Sequence, residues 1–420
     1  MTLDKSASAR PERSSGQLIA VARLTGASIP LAVQRGLPAV AIIVVTVLVA
    51  HRLPKADIAR WAVLLALINI ARVTADFGLD RSIPRAMTVA DKRGWIVASG
   101  VGARLLSGLA SGLGLLVIGW VLVGPGPDLL IASAIPAVQA PTVLSTAWAI
   151  VHSRTSALLI PAALSFAIFV GAAYAATPGL GLVGVLAGMA AGAAVEAGTA
   201  WRLSGVVATW AGATLTLGIG VLRDALSFGI QGSLGILYAR VPVLILAIVG
   251  PDLIVTFSLG YNLYAAVALA SSALALTTFA RLNLALAERS RPAFIAATRN
   301  FGASAALVVG AAFVIALLAD QIVRLLFTAT YADAAEVARI LMLVVPVSIC
   351  NAFLSVALFS LRADRLVVSF SIAAVAILAI ATALSVPFGA VGPAVAMFIS
   401  ELAIAVAATA VVIRRLERAF

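Results

Sequence analysis

The sequence predicts an all-α polytopic membrane protein of about 12 transmembrane helices, arranged as two six-helix lobes related by a parallel pseudo-repeat. Three observations carry that prediction. Hydrophobic residues make up 62% of the 420-residue chain and charged residues 11%, with a mean hydropathy of +1.12; soluble domains carry about a quarter charged residues. Apolar stretches of about 20 residues, the length that spans a ~30 Å hydrocarbon core, recur from one end to the other. Finally, Gly181, Val183, Gly184 and Met189 return at one constant offset as Gly389, Val391, Gly392 and Met397.

The expected spans are 28–51, 57–80, 94–123, 128–151, 155–176 and 180–201 in the first lobe. Those of the second are 223–249, 252–278, 300–319, 332–361, 365–386 and 389–413. Turn chemistry separates them: Pro54-Lys55, Gly124-Pro125-Gly126-Pro127, Pro178-Gly179, Gly250-Pro251 and Pro387. The first and seventh helices each hold an intramembrane arginine and end in a short Pro-containing turn, followed by Asp57 and Asp252. Residues 1–27 and 414–420 are basic tails, and no apolar core with a cleavage site marks a signal peptide.

Orientation follows from Lys and Arg. With the N-terminus cytoplasmic, only Arg52, Lys55, Arg60 and Arg324 fall in outer loops, whereas the inner loops and tails hold most of the 29 basic residues. The apolar segment between Leu203 and Leu222 would reverse this bias in the whole second half if it crossed. Residues 202–222 are therefore expected to be an inter-lobe linker at the inner face, between lobes 28–201 and 223–413. The formal charge of +12 is then a topology signal that also suits anionic lipid, with no reason to invoke nucleic acid.

Enzymatic chemistry has little to work with. Cys350 is the single cysteine, so neither a disulfide framework nor a cysteine metal cluster can form. His51 and His152 both sit at expected helix ends. No catalytic residues, metal or cofactor are assigned.

What is unusual is charge inside the apolar spans. The stretch from Asp57 to Met87 holds Asn69, Arg72 and Asp76 and finishes at Arg81 and Arg85. A charge at the centre of a membrane helix costs about 2.5–3.5 kcal/mol on insertion scales, so this helix is expected to turn its polar face into a bundle or a wet cavity. Arg35, Arg104 and Arg240 lie within other spans, about 10–25 Å from the inner edge at 1.5 Å per residue. Guanidinium forks suit phosphate oxygens, which makes Arg35, Arg72, Arg104 and Arg240 candidates for an anionic head group. The plainer reading is interhelical pairing with Asp76, Glu196 or Glu401, and snorkelling for Arg35. Glu196 and Glu401 are equally candidates for coupling to a proton gradient or for arginine partners; Asp76, four residues from Arg72, is expected to pair with it. Asn262, Asn351, Gln139 and Gln231 are candidates for sugar contacts, with helix–helix hydrogen bonding the stronger expectation. Gly108-x-x-x-Gly112 and Gly188-x-x-x-Gly192 are expected to be close-packing faces.

Two matches mislead. Gly179-Leu-Gly181-Leu-Val-Gly184 fits a dinucleotide fingerprint with no strand before it and no acidic ribose ligand after it. Asp76-Phe77-Gly78 spells a kinase triplet without the other kinase parts, and here the glycine is expected to permit the turn out of the second helix.

Several segments together resemble the polysaccharide-transporter flippases, the Wzx-type O-antigen and exopolysaccharide exporters of the multidrug/oligosaccharidyl-lipid/polysaccharide exporter superfamily. They are Arg52-Leu53-Pro54, Trp61, Asp76-Phe77-Gly78-Leu79 and Pro84-Arg85; Arg223-Asp224-Ala225-Leu226-Ser227-Phe228-Gly229; Leu325 to Ala335; and Pro387-Phe388-Gly389-Ala390-Val391-Gly392. The family's usual Gly-Pro after the first helix is here Pro54-Lys55. The resemblance implies a V-shaped fold around a central cavity in the bacterial inner membrane. It also implies translocation of a polyprenyl-pyrophosphate-linked oligosaccharide by alternating access, by a monomer working beside a polysaccharide polymerase and chain-length machinery in lipopolysaccharide or exopolysaccharide synthesis. A multidrug exporter of the related MATE type is the second reading, disfavoured because 28–51 holds no acidic residue. A glycan polymerase or ligase ranks below both, since every expected outer loop is short.

Overall fold

The computed structural model describes residues 33–34, 36–79, 83, 93–152, 154–204, 215–288 and 290–419. Arg35, the tail 1–27, Arg81 and Arg85, and residues 205–214 of the expected linker lie outside them. Among the described residues all regular structure is helical. The first lobe contains α1 (Gly36–Arg52), α2 (Lys55–Asp76), α3 (Arg93–Val123), α4 (Pro127–Val138), α5 (Ala140–Val151) and α6 (Leu159–Ser204). The second contains α7 (Leu215–Val249), α8 (Ile254–Ala287), α9 (Arg291–Leu317), α10 (Ala319–Phe327), α11 (Ala334–Ser360), α12 (Asp364–Ser385) and α13 (Val391–Ala419). Nine helices among the described residues are long and apolar enough to cross a membrane. Helix α7 begins at Leu215, so the last eight residues assigned to the linker are its first two turns.

The twelve expected crossings survive as a pattern, with two changes in how they are built. Helices α4 and α5 form one crossing broken at Gln139, where Pro136 and Pro141 each remove an amide donor from the ladder. Helix α6 is two crossings: Gly181 adopts φ 54°, ψ −134°, open to a residue without a side chain, and the chain folds back on itself. Gly188 and Gly192 then sit against the first half, where a Cβ would stand 3.0 Å from Ala172 Cβ and 2.9 Å from the Ser165 carbonyl. The second lobe repeats the device, with Gly389 at φ 71° and Gly392 against the Ser385 carbonyl. The repeated glycines thus mark two equivalent hairpins.

Helix α3 shows the inverted amphipathicity that lipid imposes. Leu106, Leu109, Leu113, Val117 and Val121 are exposed along one face, while Arg104, Gly108 and Gly112, at four-residue spacing, are turned inward. A Cβ on Gly108 would lie 2.9 Å from Ala137 Cα, and Gly112 abuts the Ser133 carbonyl, so α3 and α4 touch backbone to backbone as expected.

Helix α2 is the axis of the molecule. Residues 61–68 are buried on every face, packed by α3 and α4 from its own lobe and by α7 and α8 from the other. Phe77 and Val73 meet Gly229 and Gly232 of α7 at one end, and Trp61, Ala62 and Leu65 share a cavity with Arg240 and Val243 towards the other. The two helices therefore run antiparallel along the seam between lobes. Gly78 takes a positive φ of 75° in the turn out of α2, as expected, and Phe77 before it does so too, at 45°. Phe77 closes the helix by donating its amide to the Val73 carbonyl.

Candidate functional site

Among the described residues, polar side chains of the apolar spans line three cavities. In the first lobe, Arg72 (α2), Gln139 (between α4 and α5), Ser165 and Glu196 (α6) line a cavity of about 30 Å³, with Phe166, Phe169 and Met189 completing its wall. Glu196 is 7% exposed, and its carboxylate is the group whose charge acts on Arg72. Asp76 lies 3.9 Å from Arg104 Nε of α3, so both members of the i, i+4 pair have a group of opposite charge on a neighbouring helix.

Arg104 is 2% exposed and holds helices together. It donates to the Pro136 carbonyl at 3.3 Å, an acceptor left over by the break at Gln139, and to the Arg72 carbonyl at 3.4 Å. It lines none of these three cavities, and its contacts are those of the plainer reading of its charge.

At the seam, Arg240 of α7 faces a cavity of about 10 Å³ lined by Thr46, Trp61, Ser258, Tyr261 and Asn262. Its guanidinium carbon stands 5.4 Å from the centre of the Tyr261 ring, a cation–π geometry. The buried Nε has no hydrogen-bond partner, and no carboxylate among the described residues pairs with the group.

A third cavity, about 250 Å³, belongs to the second lobe, between α7, α11, α12 and α13. Gln231, Tyr238, Ser348, Asn351, Ser355, Ser371 and Glu401 are its polar wall. Asn351 Nδ2 donates to both the Glu401 carboxylate and the Glu401 backbone carbonyl, at 2.8 Å for the latter. Ser348 in turn shares a 3.0 Å hydrogen bond with Tyr264 of α8. No lysine or arginine among the described residues pairs with Glu401.

The expected sugar contacts thus divide. Asn351 and Gln231 meet in the second-lobe cavity, Gln139 lies with Arg72 in the first, and Asn262 lies at the seam. The hydroxyls of Tyr238, Tyr261, Tyr264 and Ser348 escaped the sequence reading. A signal existed in the spacing of Ser348, Asn351 and Ser355, which puts three polar groups on one face of an otherwise apolar helix. Away from the cavities, Arg60 pairs with Asp128 and caps the carbonyls of Val123 and Gly124, so a residue expected in an outer loop anchors the α3–α4 turn.

No protein-family model matches the sequence, and no curated protein matches it significantly. Solved structures do. A multidrug resistance MATE family transporter of the MOP superfamily in its inward-facing conformation superposes with a TM-score of 0.68 at 16% identity, covering 95% of this chain and 98% of its own. The chain shares its fold with that solved structure. The lipid II flippase MurJ, in an inward closed conformation, gives a TM-score of 0.70 at 10% identity over 90% of this chain and 87% of its own. A MOP superfamily transporter from Pyrococcus furiosus, described as having a binding pocket of reversed polarity, gives 0.70 at 15% identity over 94% and 96%. The two-lobe expectation holds, and multidrug transporters and a lipid-linked flippase are matched alike.

Proposed function

We propose that the chain is a flippase that carries a polyprenyl-pyrophosphate-linked oligosaccharide across the bacterial inner membrane, serving surface polysaccharide synthesis. The lobes rock about the α2–α7 seam, both termini stay cytoplasmic, and no catalytic step is involved. The observation that carries this reading is Arg240: a guanidinium at the seam between lobes, with an orphaned Nε and no carboxylate partner among the described residues. A half-buried guanidinium whose Nε has no acceptor is incompletely satisfied, and an anionic head group supplies the acceptor and the countercharge as it enters. Arg35, which lies outside the described residues, stays a second head-group candidate by its place in the sequence. Arg72 already has Glu196 opposite and serves only if that carboxylate is neutralised, which makes Glu196 a coupling acid.

Complementing a deletion strain with Arg240→Gln and Arg240→Lys tests the proposal. Surface glycan falls by about tenfold or more with glutamine and recovers in part with lysine, which keeps the charge but lacks the bidentate fork. Normal surface glycan from the glutamine variant at wild-type abundance refutes the head-group role.

One observation favours the MATE-like reading, in which the cargo is an organic cation: the second-lobe cavity of about 250 Å³ holds a carboxylate with no cation partner among the described residues. Under that reading the deletion strain becomes drug-sensitive and its surface glycan is unchanged.

A further inference from the structure

The second-lobe cavity is distinct from the seam. Its wall on α7 is Gln231, Leu234, Gly235 and Tyr238, one helical face, whereas Arg240 lies on another. The repeat relates it to the cavity of the first lobe. Ala193 and Glu196 line one, and at the offset that relates Gly181 to Gly389 the matching positions are Glu401 and Ile404, which line the other. The acid has moved by one helical turn and lost its arginine. Groups facing it are all neutral: Tyr238 from α7, Tyr264 from α8, Ser348 and Asn351 from α11. Asn351 turns its amide nitrogen to Glu401, which leaves its buried Oδ1 as an acceptor with no partner.

Tyr238 and Ser348 offer hydroxyl donors beside the Glu401 carboxylate, but no described residue on the wall brings a positive charge to it and Asn351 Oδ1 is left without a partner, so the wall suits a cation with hydrogens to donate. The rest of the wall is mixed. Gln231, Ser355 and Ser371 offer amide and hydroxyl groups, and Phe370, Leu234 and Ile404 offer flat apolar surface. The volume of about 250 Å³ has room for a sugar ring.

We propose that this cavity binds a single amino sugar unit, its protonated amine held by Glu401 and Asn351, its hydroxyls by Gln231, Ser355 and Ser371, and its C–H face by Phe370. The choice of a sugar rests on the glycan reading above; the requirement for a cation rests on Glu401 alone. The pocket then selects among lipid-linked glycans by a charged amine, a criterion separate from the pyrophosphate at the seam.

The test uses the purified full-length protein in detergent and saturation-transfer NMR with glucosamine, glucose and cyclohexylamine, at a pH where both amines are protonated. Glucosamine is expected to bind saturably and about tenfold more tightly than either of the others, the worth of one charge-assisted hydrogen bond. Glu401→Gln abolishes that preference. Gln231→Leu weakens glucosamine binding without moving the melting temperature, and it keeps the proposal open to refutation if the Glu401 variant misfolds. Equal binding of glucose removes the ammonium role, equal binding of cyclohexylamine removes the sugar, and no binding of glucosamine removes the site. Each of these leaves the export defect of Arg240→Gln untouched, so failure here and failure of the flippase reading are told apart.

Discussion

The backbone carbonyl of Phe77 lies 2.7 Å from the point where a Cβ on Gly229 would stand. This contact joins the left-handed turn that ends α2 to the first part of α7, and so one lobe to the other. Around it, Leu79, Ile83, Val101, Leu144 and Ala147 of the first lobe pack on Ala225 of the second.

Substituting Gly229 should therefore separate the lobes at this end. Overpacking a close contact costs about 1–3 kcal/mol. Gly229→Val is expected to lower the melting temperature by several degrees and to increase labelling of a cysteine placed at Val73, with Gly229→Ala intermediate. Labelling no greater than that of the parent would show that the seam gives way without cost.

The hairpin glycines make a second prediction. At φ 54°, ψ −134°, and at φ 71°, Gly181 and Gly389 occupy backbone space that costs about 1–3 kcal/mol for a residue with a side chain. Alanine at either position should destabilise by that amount. Gly179→Ala, nearby with open space around it, should be nearly neutral in the same denaturation assay.

Arg104 is expected to behave as a structural cation. Truncation to alanine removes the charge beside Asp76 and the donor to the Pro136 and Arg72 carbonyls, a loss of about 1–3 kcal/mol. A double-mutant cycle with Asp76→Asn should reveal positive coupling. Additive effects would mean that the 3.9 Å approach contributes nothing.

Arg72 and Glu196 are predicted to depend on each other in the same sense. Arg72→Met or Glu196→Leu alone leaves one charge in a cavity of about 30 Å³, and each should reduce abundance in the membrane. Because paired replacement by apolar groups is often neutral, the double variant should regain stability while losing transport. Recovery of both would remove this pair from the mechanism.

Much of the molecule was legible in one dimension. Span length, glycine periodicity and the bias of Lys and Arg are local properties, fixed by the thickness of a bilayer and by the reach of a helical turn. They led to two six-helix lobes, to the repeated hairpin at Gly181 and Gly389, and to the small-residue faces of α3 and α6, all of which the fold bears out. The same local logic identified which polar groups are costly in an apolar chain.

Which of those groups meet was decided by tertiary structure alone. Arg72 and Asp76 share a helical face, yet one answers to Glu196 and the other to Arg104, because the partner depends on which helix packs there. Asn351 and Glu401, far apart in the chain, become one hydrogen-bonded unit in a cavity that four helices enclose. Arg240 is left at the seam without a carboxylate among the described residues. A sequence specifies the charge a helix carries into lipid; the packing of other helices determines whether that charge is neutralised within the protein or kept for a ligand.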